Sequence, residues 1–369
     1  MISKFNCPFC LFGCNQKSEC NYILFHERVK DKQSHPMIKG KKVSLENALN
    51  ELKNILEKAN GIHVDGLSCD YQGIRSIFEF CEKKFTSVDH SDGQKNAEIN
   101  FCLQRYGGYL SSYGEMYKRS DLIFFLGNNN EIFYEIIKNK RKKKVTQFIF
   151  FDNGISKFSD VHFQKFKKNR LSDDFSLLSS LLCKQNYSSN KKFKKTIDLI
   201  LNSNHGTIVY LPMDDDLLTQ NIFKLTQILN KEKKRFSLLP LNRGNNLSGA
   251  VQYSLWKTGY PLRVQFTQNG PIYDPVNFSS QNLSKVKELQ IFFSSFEYEK
   301  KPLMFKKNIF IGNPNQINKK AFDVFIPTKI PGINNSGIIF NRDGVGIRKL
   351  SKIYDNSDYS TQEIIRRII

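Results

Sequence analysis

The sequence predicts an α/β protein built from two Rossmann-like lobes. The chain has 369 residues, more than a single hydrophobic core usually serves. Apolar residues make up 40% of it and aromatic residues 13%, enough for a sizeable core. Short apolar runs such as Leu122–Leu126 alternate with segments of helix length, which is typical of parallel βαβ units. The alternation restarts after a polar gap at 184–195, and this restart indicates the second lobe.

In the first half of the chain, Ser44 is a predicted N-cap, because apolar residues recur at helical spacing directly after it. The helices predicted in this half lie at 45–59, 73–84 and 131–144. The strands lie at 61–66, 86–89, 122–126 and 147–152. Strands and helices therefore alternate from residue 45 onward.

The second half continues the same alternation. Helices are predicted at 193–203, 215–230 and 360–369. Strands are predicted at 207–211, 236–239, 289–293, 308–311 and 322–326. Between them, residues 241–280 are dense in Gly, Asn and Pro, so we expect a loop-rich stretch there.

The net charge of the chain is +21, from 56 Lys and Arg against 35 Asp and Glu. Compositional drift explains it best, because the charge is spread along a chain that is rich in Lys, Asn, Ile and Phe. A basic docking face for acidic partner subunits is a second interpretation, and a nucleic-acid partner is the least favoured. No apolar run approaches the roughly 20 residues of a membrane-spanning helix, and no signal-peptide pattern is present. We therefore expect a cytoplasmic protein without a membrane partner.

Four of the eight cysteines fall within the first 20 residues, at Cys7, Cys10, Cys14 and Cys20. Crowded thiols in a reducing compartment indicate a metal centre rather than disulfides. Four thiolates suit a [4Fe-4S] cluster or zinc, and the spacing favours iron–sulfur. Vestigial cysteines are the alternative. The remaining four are expected to be ordinary packing residues: Cys69, Cys81, Cys102 and Cys183.

Three small polar loops follow predicted strands, at 127–130, 152–154 and 312–314. Ligands of parallel sheets bind at the carboxyl ends of strands, so the backbone amides of these loops are candidates for contact with a phosphate or a pterin. An ordinary turn is the alternative at each of them.

A series of motifs runs in a fixed order along nearly the whole chain. They are Cys7-Pro-Phe-Cys10, His35-Pro-Met-Ile38, Gly66-Leu-Ser-Cys69, Tyr113-Gly-Glu115, Ser159-Asp-Val-His162, Arg243-Gly-Asn-Asn-Leu-Ser-Gly249, Trp256-Lys-Thr-Gly-Tyr-Pro261, Tyr273-Asp-Pro275 and the segment from Gly337 to Arg348. Together they resemble the B subunit of formylmethanofuran dehydrogenase, a molybdenum or tungsten bis-pterin oxidoreductase. Each motif is modest alone, and their order makes the resemblance specific.

The resemblance implies the molybdopterin oxidoreductase fold without a C-terminal β-barrel domain, which another subunit supplies. It implies a [4Fe-4S] cluster on Cys7, Cys10 and Cys14, with Cys20 as the fourth ligand. The residues that it implies for the bis-pterin guanine dinucleotide are Gly127, Asn128, Asp152, Arg243, Gly244, Asn245, Gly249, Gly337, Asn341 and Gly344. It also implies partner subunits, namely one of the amidohydrolase-like A type and others of the C and D types.

One departure from the family concerns the metal. The family holds its Mo or W by a Cys or selenocysteine that lies shortly after the second strand and precedes a His. Between the flanking motifs this position falls near Lys95, and residues 92–97 contain neither Cys nor His. An ammonium is a poor substitute for a soft thiolate, and Asp92 is a less favoured candidate ligand. We therefore expect the Mo or W bis-pterin to be lost.

This loss resembles the formyltransferase/hydrolase complex of methylotrophic bacteria, which releases formate from a formyl-methanofuran-like carrier. The sequence then predicts a non-redox scaffold subunit in one-carbon metabolism. The alternative is a working dehydrogenase subunit that interconverts carbon dioxide and formate. The predicted segments are an N-terminal cysteine segment (1–42), a first lobe (43–190), a second lobe (191–320) and a C-terminal segment with the cofactor-type loop (321–369).

Overall fold

The computed structural model describes residues 34–126, 134, 137–138, 146–151, 159–164, 171–184, 190–211, 216–231, 234–242, 246–296, 302–315 and 321–369. The chain forms two compact units. Unit 1 comprises Met1–Gln94 and Arg243–Ile369, and unit 2 comprises Lys95–Asn242. The predicted boundaries at 190 and 320 differ from these, because one sheet of unit 1 takes strands from both ends of the chain.

Unit 1 contains a nine-stranded sheet. Its strands are β1 (Met37–Ile38), β2 (Lys41–Lys42), β3 (Ile62–Ser68), β4 (Ser87–Val88), β10 (Val264–Thr267), β11 (Gly270–Tyr273), β12 (Leu289–Ser294), β13 (Lys307–Gly312) and β14 (Val324–Pro327). The five central strands are parallel in the order β4-β3-β12-β13-β14. The strand order reverses between β3 and β12, and ligands of doubly wound sheets bind at such a switch point. A hairpin of β15 (Gly337–Phe340) and β16 (Ile347–Leu350) lies apart from this sheet.

The helices of unit 1 pack against the nine-stranded sheet and against one another. They are α1 (Leu45–Lys58), α2 (Tyr71–Lys83), α8 (Leu247–Thr258), α9 (Ser280–Leu283) and α10 (Thr361–Ile368). Ser44 caps α1 by accepting a hydrogen bond from the Asn47 amide, as the sequence predicts. The core combines Leu52, Ile77, Ile291 and Ile364 with their neighbours.

Unit 2 contains a five-stranded parallel sheet in the order β7-β6-β5-β8-β9. Its strands are β5 (Leu122–Leu126), β6 (Gln147–Phe151), β7 (Val161–Gln164), β8 (His205–Tyr210) and β9 (Arg235–Pro240). Its helices are α4 (Tyr113–Arg119), α5 (Leu171–Lys184), α6 (Lys194–Leu201) and α7 (Asp216–Leu229), and α3 (Gly93–Tyr106) contains the boundary between the two units. The core is rich in phenylalanine, with Phe124, Phe151 and Phe175 fully or almost fully buried.

Most predicted strands are confirmed, including Leu122–Leu126 at both ends. The loop-rich interpretation of 241–280 is wrong over Leu247–Thr258, which form α8, and over the β10–β11 hairpin. Helix α8 escapes detection because Gly249 and polar residues interrupt its apolar spacing. The helix predicted at 131–144 lies mostly outside the described residues. Within the part of the chain that the structure describes, no helix has the length and apolar character to cross a membrane.

Candidate functional site

The predicted cofactor residues are only partly described. The structure describes Gly249, Gly337, Asn341 and Gly344, together with Lys95. Outside the described residues lie the cysteines Cys7, Cys10, Cys14 and Cys20 and the cofactor candidates Gly127, Asn128, Asp152, Arg243, Gly244 and Asn245. The sequence order places Gly127 directly after β5 and Asp152 directly after β6.

The turn from β3 into α2 lies at the switch point of the sheet in unit 1. Gly66 has φ +89°, and a Cβ there would overlap the Phe293 carbonyl oxygen. Leu67 follows in the left-handed region with φ 50°. Asp70 then caps α2, with its Oδ1 accepting a hydrogen bond of 3.2 Å from the Gly73 amide. The sequence Gly66-Leu-Ser-Cys69 thus forms a tight strand-to-helix turn that only a glycine at its start allows.

Asn246 connects this turn to the β15–β16 hairpin. Its amide nitrogen donates to the Cys69 carbonyl at 2.8 Å, and its amide oxygen accepts from the Phe340 amide at 3.0 Å. Gly249 lies against this side chain, since a Cβ there would overlap the Asn246 amide. A Cβ at Gly337 would lie 2.9 Å from the Asp70 Cβ. Both glycines therefore allow close packing around the switch point.

Asn341 and Gly344 form the turn of the hairpin. The Asn341 amide donates to the Gly346 carbonyl at 2.7 Å, and the Gly344 amide donates to the Asn341 carbonyl at 2.9 Å. Gly344 has φ 73°, which side chains rarely adopt. A role of these residues in cofactor binding stays a prediction.

Buried hydroxyls and a thiol meet after the carboxyl ends of the strands at the switch point. The Ser295 hydroxyl lies 2.5 Å from the Thr361 hydroxyl and 3.3 Å from the Thr328 hydroxyl. The Cys69 sulfur lies 3.5 Å from the Ser295 hydroxyl. Burial raises the pKa of the Cys69 thiol to about 11, so the thiol stays protonated and inert.

A cavity of about 280 Å³ lies on unit 1 beside the carboxyl ends of β3 and β4. We name it the Asp65 cavity. Its lining residues are Asp65, Asp89, His90, Ser91, Gln94, Arg263, Ser279, Ser280, Gln281, Phe292, Pro302 and Leu303. Asp65, Asp89, His90 and Arg263 are each at most 5% exposed. None of these four residues belongs to the site predicted from the sequence, although Asp89-His90 at the end of the predicted strand 86–89 was an available signal.

The Asp89 carboxylate is the centre of a hydrogen-bond network in this cavity. Its Oδ1 accepts from the His90 amide at 2.8 Å. Its Oδ2 accepts from the Arg263 Nε at 3.2 Å and from the Ser280 amide at 3.4 Å. Burial raises the pKa of Asp89, and the Arg263 guanidinium opposes that rise. A Cβ at Gly93 would overlap this carboxylate, so the start of α3 needs a glycine there.

Arg263 is held in the cavity by an unusual backbone. Leu262 and Arg263 both lie in the left-handed region, with φ 67° and 53°. Arg263 also donates to the Gln94 amide oxygen at 3.0 Å and to the Pro275 carbonyl. Two successive non-glycine residues in this region cost about 1–3 kcal/mol each. This backbone strain lies at the residues that position the buried Arg263 guanidinium.

Asp65 and His63 project from neighbouring parts of β3. Asp65 accepts from the Gly66 amide at 2.6 Å and from the Gln290 amide nitrogen at 3.3 Å. Burial and the neighbouring Asp89 carboxylate raise the pKa of Asp65 to about 7. His63 lies between the hydroxyls of Ser87 and Ser280, at 2.9 and 3.0 Å. Burial, with a smaller contribution from Lys287, lowers the pKa of His63 to about 3, so its ring is neutral.

Lys95, the residue predicted near the metal-ligand position, lies in the first turn of α3 and is 5% exposed. Asp89 and His90 lie directly after β4, the second strand of the predicted alternation. Among the described residues, no three His, Cys, Asp or Glu side chains form a metal-binding group. Burial raises the pKa of the Cys81 thiol to about 12, so this thiol stays protonated like that of Cys69.

Two curated relatives are similar to most of the chain. One is the B subunit of the tungsten-containing formylmethanofuran dehydrogenase 2 of Methanococcus maripaludis, which is 23% identical over 371 positions that cover 89% of this chain and 84% of the relative. The protein of the same name from Methanocaldococcus jannaschii is 22% identical over 350 positions, which cover 85% of this chain and 80% of the relative. No family model matches the chain. These relatives confirm the predicted resemblance to the B subunit of formylmethanofuran dehydrogenase.

Solved structures share the fold. A chain of the formyltransferase/hydrolase complex (FhcABCD) of Methylorubrum extorquens, solved with methylofuran, superimposes with a TM-score of 0.78 at 19% identity, covering 90% of this chain and 97% of that one. Acetylene hydratase of Pelobacter acetylenicus superimposes with a TM-score of 0.64 at 10% identity, covering 98% of this chain and 68% of that one. The predicted α/β fold is confirmed by these two superpositions. The N-terminal cluster and the absence of a barrel domain stay predictions.

Proposed function

We propose that this relative of the formylmethanofuran dehydrogenase B subunit is a non-redox scaffold protein. In this proposal it belongs to a formyltransferase/hydrolase complex that releases formate from a formyl-methanofuran-like carrier. Its partners would be an amidohydrolase-like subunit of the A type and subunits of the C and D types. Similarity to a chain of FhcABCD over 97% of that chain's length supports this assignment.

The observation that carries the scaffold role is the chemistry of the donor set after β4. In the family that the chain resembles, the residue that binds Mo or W follows the second strand and precedes a His. Asp89, which follows β4 and precedes His90, matches this position more closely than Lys95 does. Asp89 is a carboxylate, and its oxygens already accept three hydrogen bonds. Neither residue is the soft thiolate or selenolate that holds the metal in the family. The residues present therefore do not fit a bound Mo or W, and the proposal includes no metal-centred step.

A working redox subunit is the second candidate. It is favoured by the similarity to two tungsten-containing relatives and by the Asp89-His90 order, because a carboxylate is an acceptable ligand for a hard metal ion. In that case Asp89 would exchange its bond to Arg263 for a bond to the metal.

Element analysis of the native complex separates the two candidates. We expect the tagged chain to co-purify with the other subunits and to contain neither Mo nor W. One atom of either metal per chain would overturn the scaffold role, and its loss in Asp89→Asn but not in Asp70→Asn would assign the ligand. Asp70 is the matched control, because it is another buried carboxylate of unit 1 that does not line the cavity.

The proposal includes a [4Fe-4S] cluster on Cys7, Cys10, Cys14 and Cys20. We expect iron and acid-labile sulfide in equal amounts in the anaerobically purified chain, and loss of both in Cys10→Ser. Cys183→Ser is the control, because Cys183 is an exposed free cysteine in unit 2. Zinc in place of iron, or an unchanged iron content in Cys10→Ser, would contradict the cluster.

A further inference from the structure

The Asp65 cavity has two buried carboxyl groups and one buried guanidinium among its described lining residues. Asp65 and Asp89 carry the carboxyl groups and Arg263 carries the guanidinium. The guanidinium is committed to Asp89, Gln94 and Pro275, and within the described residues no contact joins it to Asp65. Among those residues Asp65 therefore has no cationic partner of its own, although it is only 3% exposed. Buried carboxylates normally have such a partner, because an isolated buried charge is costly.

A second observation is a buried oxygen next to Asp65 that lacks a hydrogen-bond donor among the described residues. Gln290 is fully buried on β12, and its amide nitrogen donates a hydrogen bond to the Asp65 carboxylate. Its amide oxygen has no hydrogen-bond partner within the part of the chain that the structure describes. A buried acceptor without a donor is rare in folded proteins. Asp65 lines the cavity, and Gln290, which lies outside the lining, is hydrogen-bonded to Asp65, so the two form one acceptor-rich pair.

Another part of the cavity wall is apolar. Phe292, Pro302 and Leu303 contribute this part, and the volume of the cavity is about 280 Å³. A cavity of about 150 Å³ is enough for benzene, so a single ring with a polar substituent fits here. The combination of an apolar wall and surplus acceptors suits a ligand with an apolar body and a cationic head.

We propose that the Asp65 cavity binds a small organic cation, an amidinium or alkylammonium group on an apolar body, with Asp65 as the residue that recognises the charge. The cationic head donates a hydrogen bond to the Asp65 carboxylate, and the apolar body lies against Phe292 and Leu303. A carboxylate offers about four acceptor positions, and Gly66, Gln290 and the Ser280 hydroxyl use three of those of Asp65, so one position is left for the ligand. This site rests on the part of the proposed function in which Asp89, which lines the same cavity, holds no metal. Element analysis tests that part separately from the binding measurements below.

Three nearly isosteric probes test the proposal on the unmodified full chain: benzamidinium, benzamide and benzoate. Saturation-transfer NMR and calorimetric titration would measure their affinities. We expect benzamidinium to bind at least about tenfold more tightly than benzamide, because hydrogen bonds to a charged group are the stronger ones. Benzoate should bind most weakly. Equal affinities for benzamidinium and benzamide, or no saturable binding of benzamidinium, would overturn the proposal.

Two variants locate the binding site. Asp65→Asn should weaken benzamidinium binding by about tenfold or more and leave benzamide binding nearly unchanged. Ser91→Phe, which fills the cavity without removing a charge, should abolish the binding of both. Asp70→Asn, a control at a buried position outside the lining, should leave both affinities unchanged. Unchanged benzamidinium affinity in Asp65→Asn and Ser91→Phe would place the binding elsewhere and refute the assignment. The probe comparison needs no variant, so it stands even if Asp65→Asn fails to fold.

Discussion

The two units of the chain have similar parallel sheets and very different buried polar groups. Unit 1 buries an ion pair between Arg263 and Asp89, an additional carboxylate at Asp65 and a neutral His63. The buried side-chain contacts around the sheet of unit 2 are instead mostly aromatic rings and hydroxyls, as in the Ser120–Thr207 pair at 2.6 Å. Among the described residues, buried titratable side chains are therefore more frequent in unit 1 than in unit 2, where Lys95 and Asp174 are examples. The comparison teaches that a shared topology does not determine where a chain places its ionisable groups.

The largest expected effect comes from breaking the buried ion pair of unit 1. Arg263→Met leaves Asp89 buried without its cation and should destabilise the fold by about 3–5 kcal/mol. Urea denaturation at pH 7 measures the change. Arg75→Met is the control, because Arg75 pairs with Glu79 on an exposed helix face and its side chain is 54% exposed. Similar losses in both variants would mean that the Arg263 pair is no more important than a surface pair.

The next effect concerns the pH dependence of unit 1. The raised pKa of Asp65 makes the free energy of unfolding fall as the pH rises from about 4 to about 7, because only the folded state keeps the proton. The lowered pKa of His63 gives the opposite slope between about pH 3 and 6.5, since only the unfolded state is protonated there. In the wild type the two slopes offset each other between about pH 4 and 6.5.

Asp65→Asn should remove one of these slopes. Relative to the wild type, the free energy of unfolding of the variant should rise by about 2–4 kcal/mol between about pH 4 and 6.5, because the falling contribution of Asp65 is removed. Denaturation curves at several pH values measure this difference. Parallel pH profiles for the two proteins would contradict the raised pKa of Asp65. Asp70→Asn is the comparison variant: burial raises the pKa of Asp70 only to about 6, so this variant should change the slope less and only below about pH 6.

A smaller effect sharpens the description of the switch point. Gly66→Ala and Gly259→Ala place the same methyl group at similar backbone angles, φ +89° and +82°. The new Cβ would overlap the Phe293 carbonyl at position 66, whereas nothing lies within 4 Å at position 259. Both variants carry a strain of about 1–3 kcal/mol. Gly66→Ala should lose clearly more stability, and equal thermal shifts would show that the β3–α2 turn is loosely packed.

The smallest effect is expected in unit 2. Thr207→Val keeps the shape of the side chain and removes the hydroxyl that contacts Ser120 and Ser237. We expect a loss of about 1 kcal/mol, the usual contribution of a neutral hydrogen bond. The loss should be the same at pH 5 and pH 8, because no ionisable group takes part. A pH-dependent loss would contradict the contrast between the two units.

Some predictions succeeded for reasons local to the chain. Leu122–Leu126 is a short apolar run between polar residues, so its strand needed no tertiary information. Helix α1 has a capping serine and apolar residues at helical spacing. The prediction failed at Leu247–Thr258, where Asn246 begins the helix in the left-handed region and makes no side-chain cap. Asn246 instead donates to Cys69, a partner 177 positions away in the chain.

The sequence by itself determined the alternation of strands and helices and the resemblance that its ordered motifs carry, because apolar periodicity and short motifs are local properties. Only the tertiary structure decided that Asp65, Asp89 and Arg263 share one cavity, since Arg263 and Asp89 are 174 positions apart. It also decided that unit 1 is assembled from both ends of the chain. Burial and charge pairing depend on which distant segments fold together, and no local pattern records that choice.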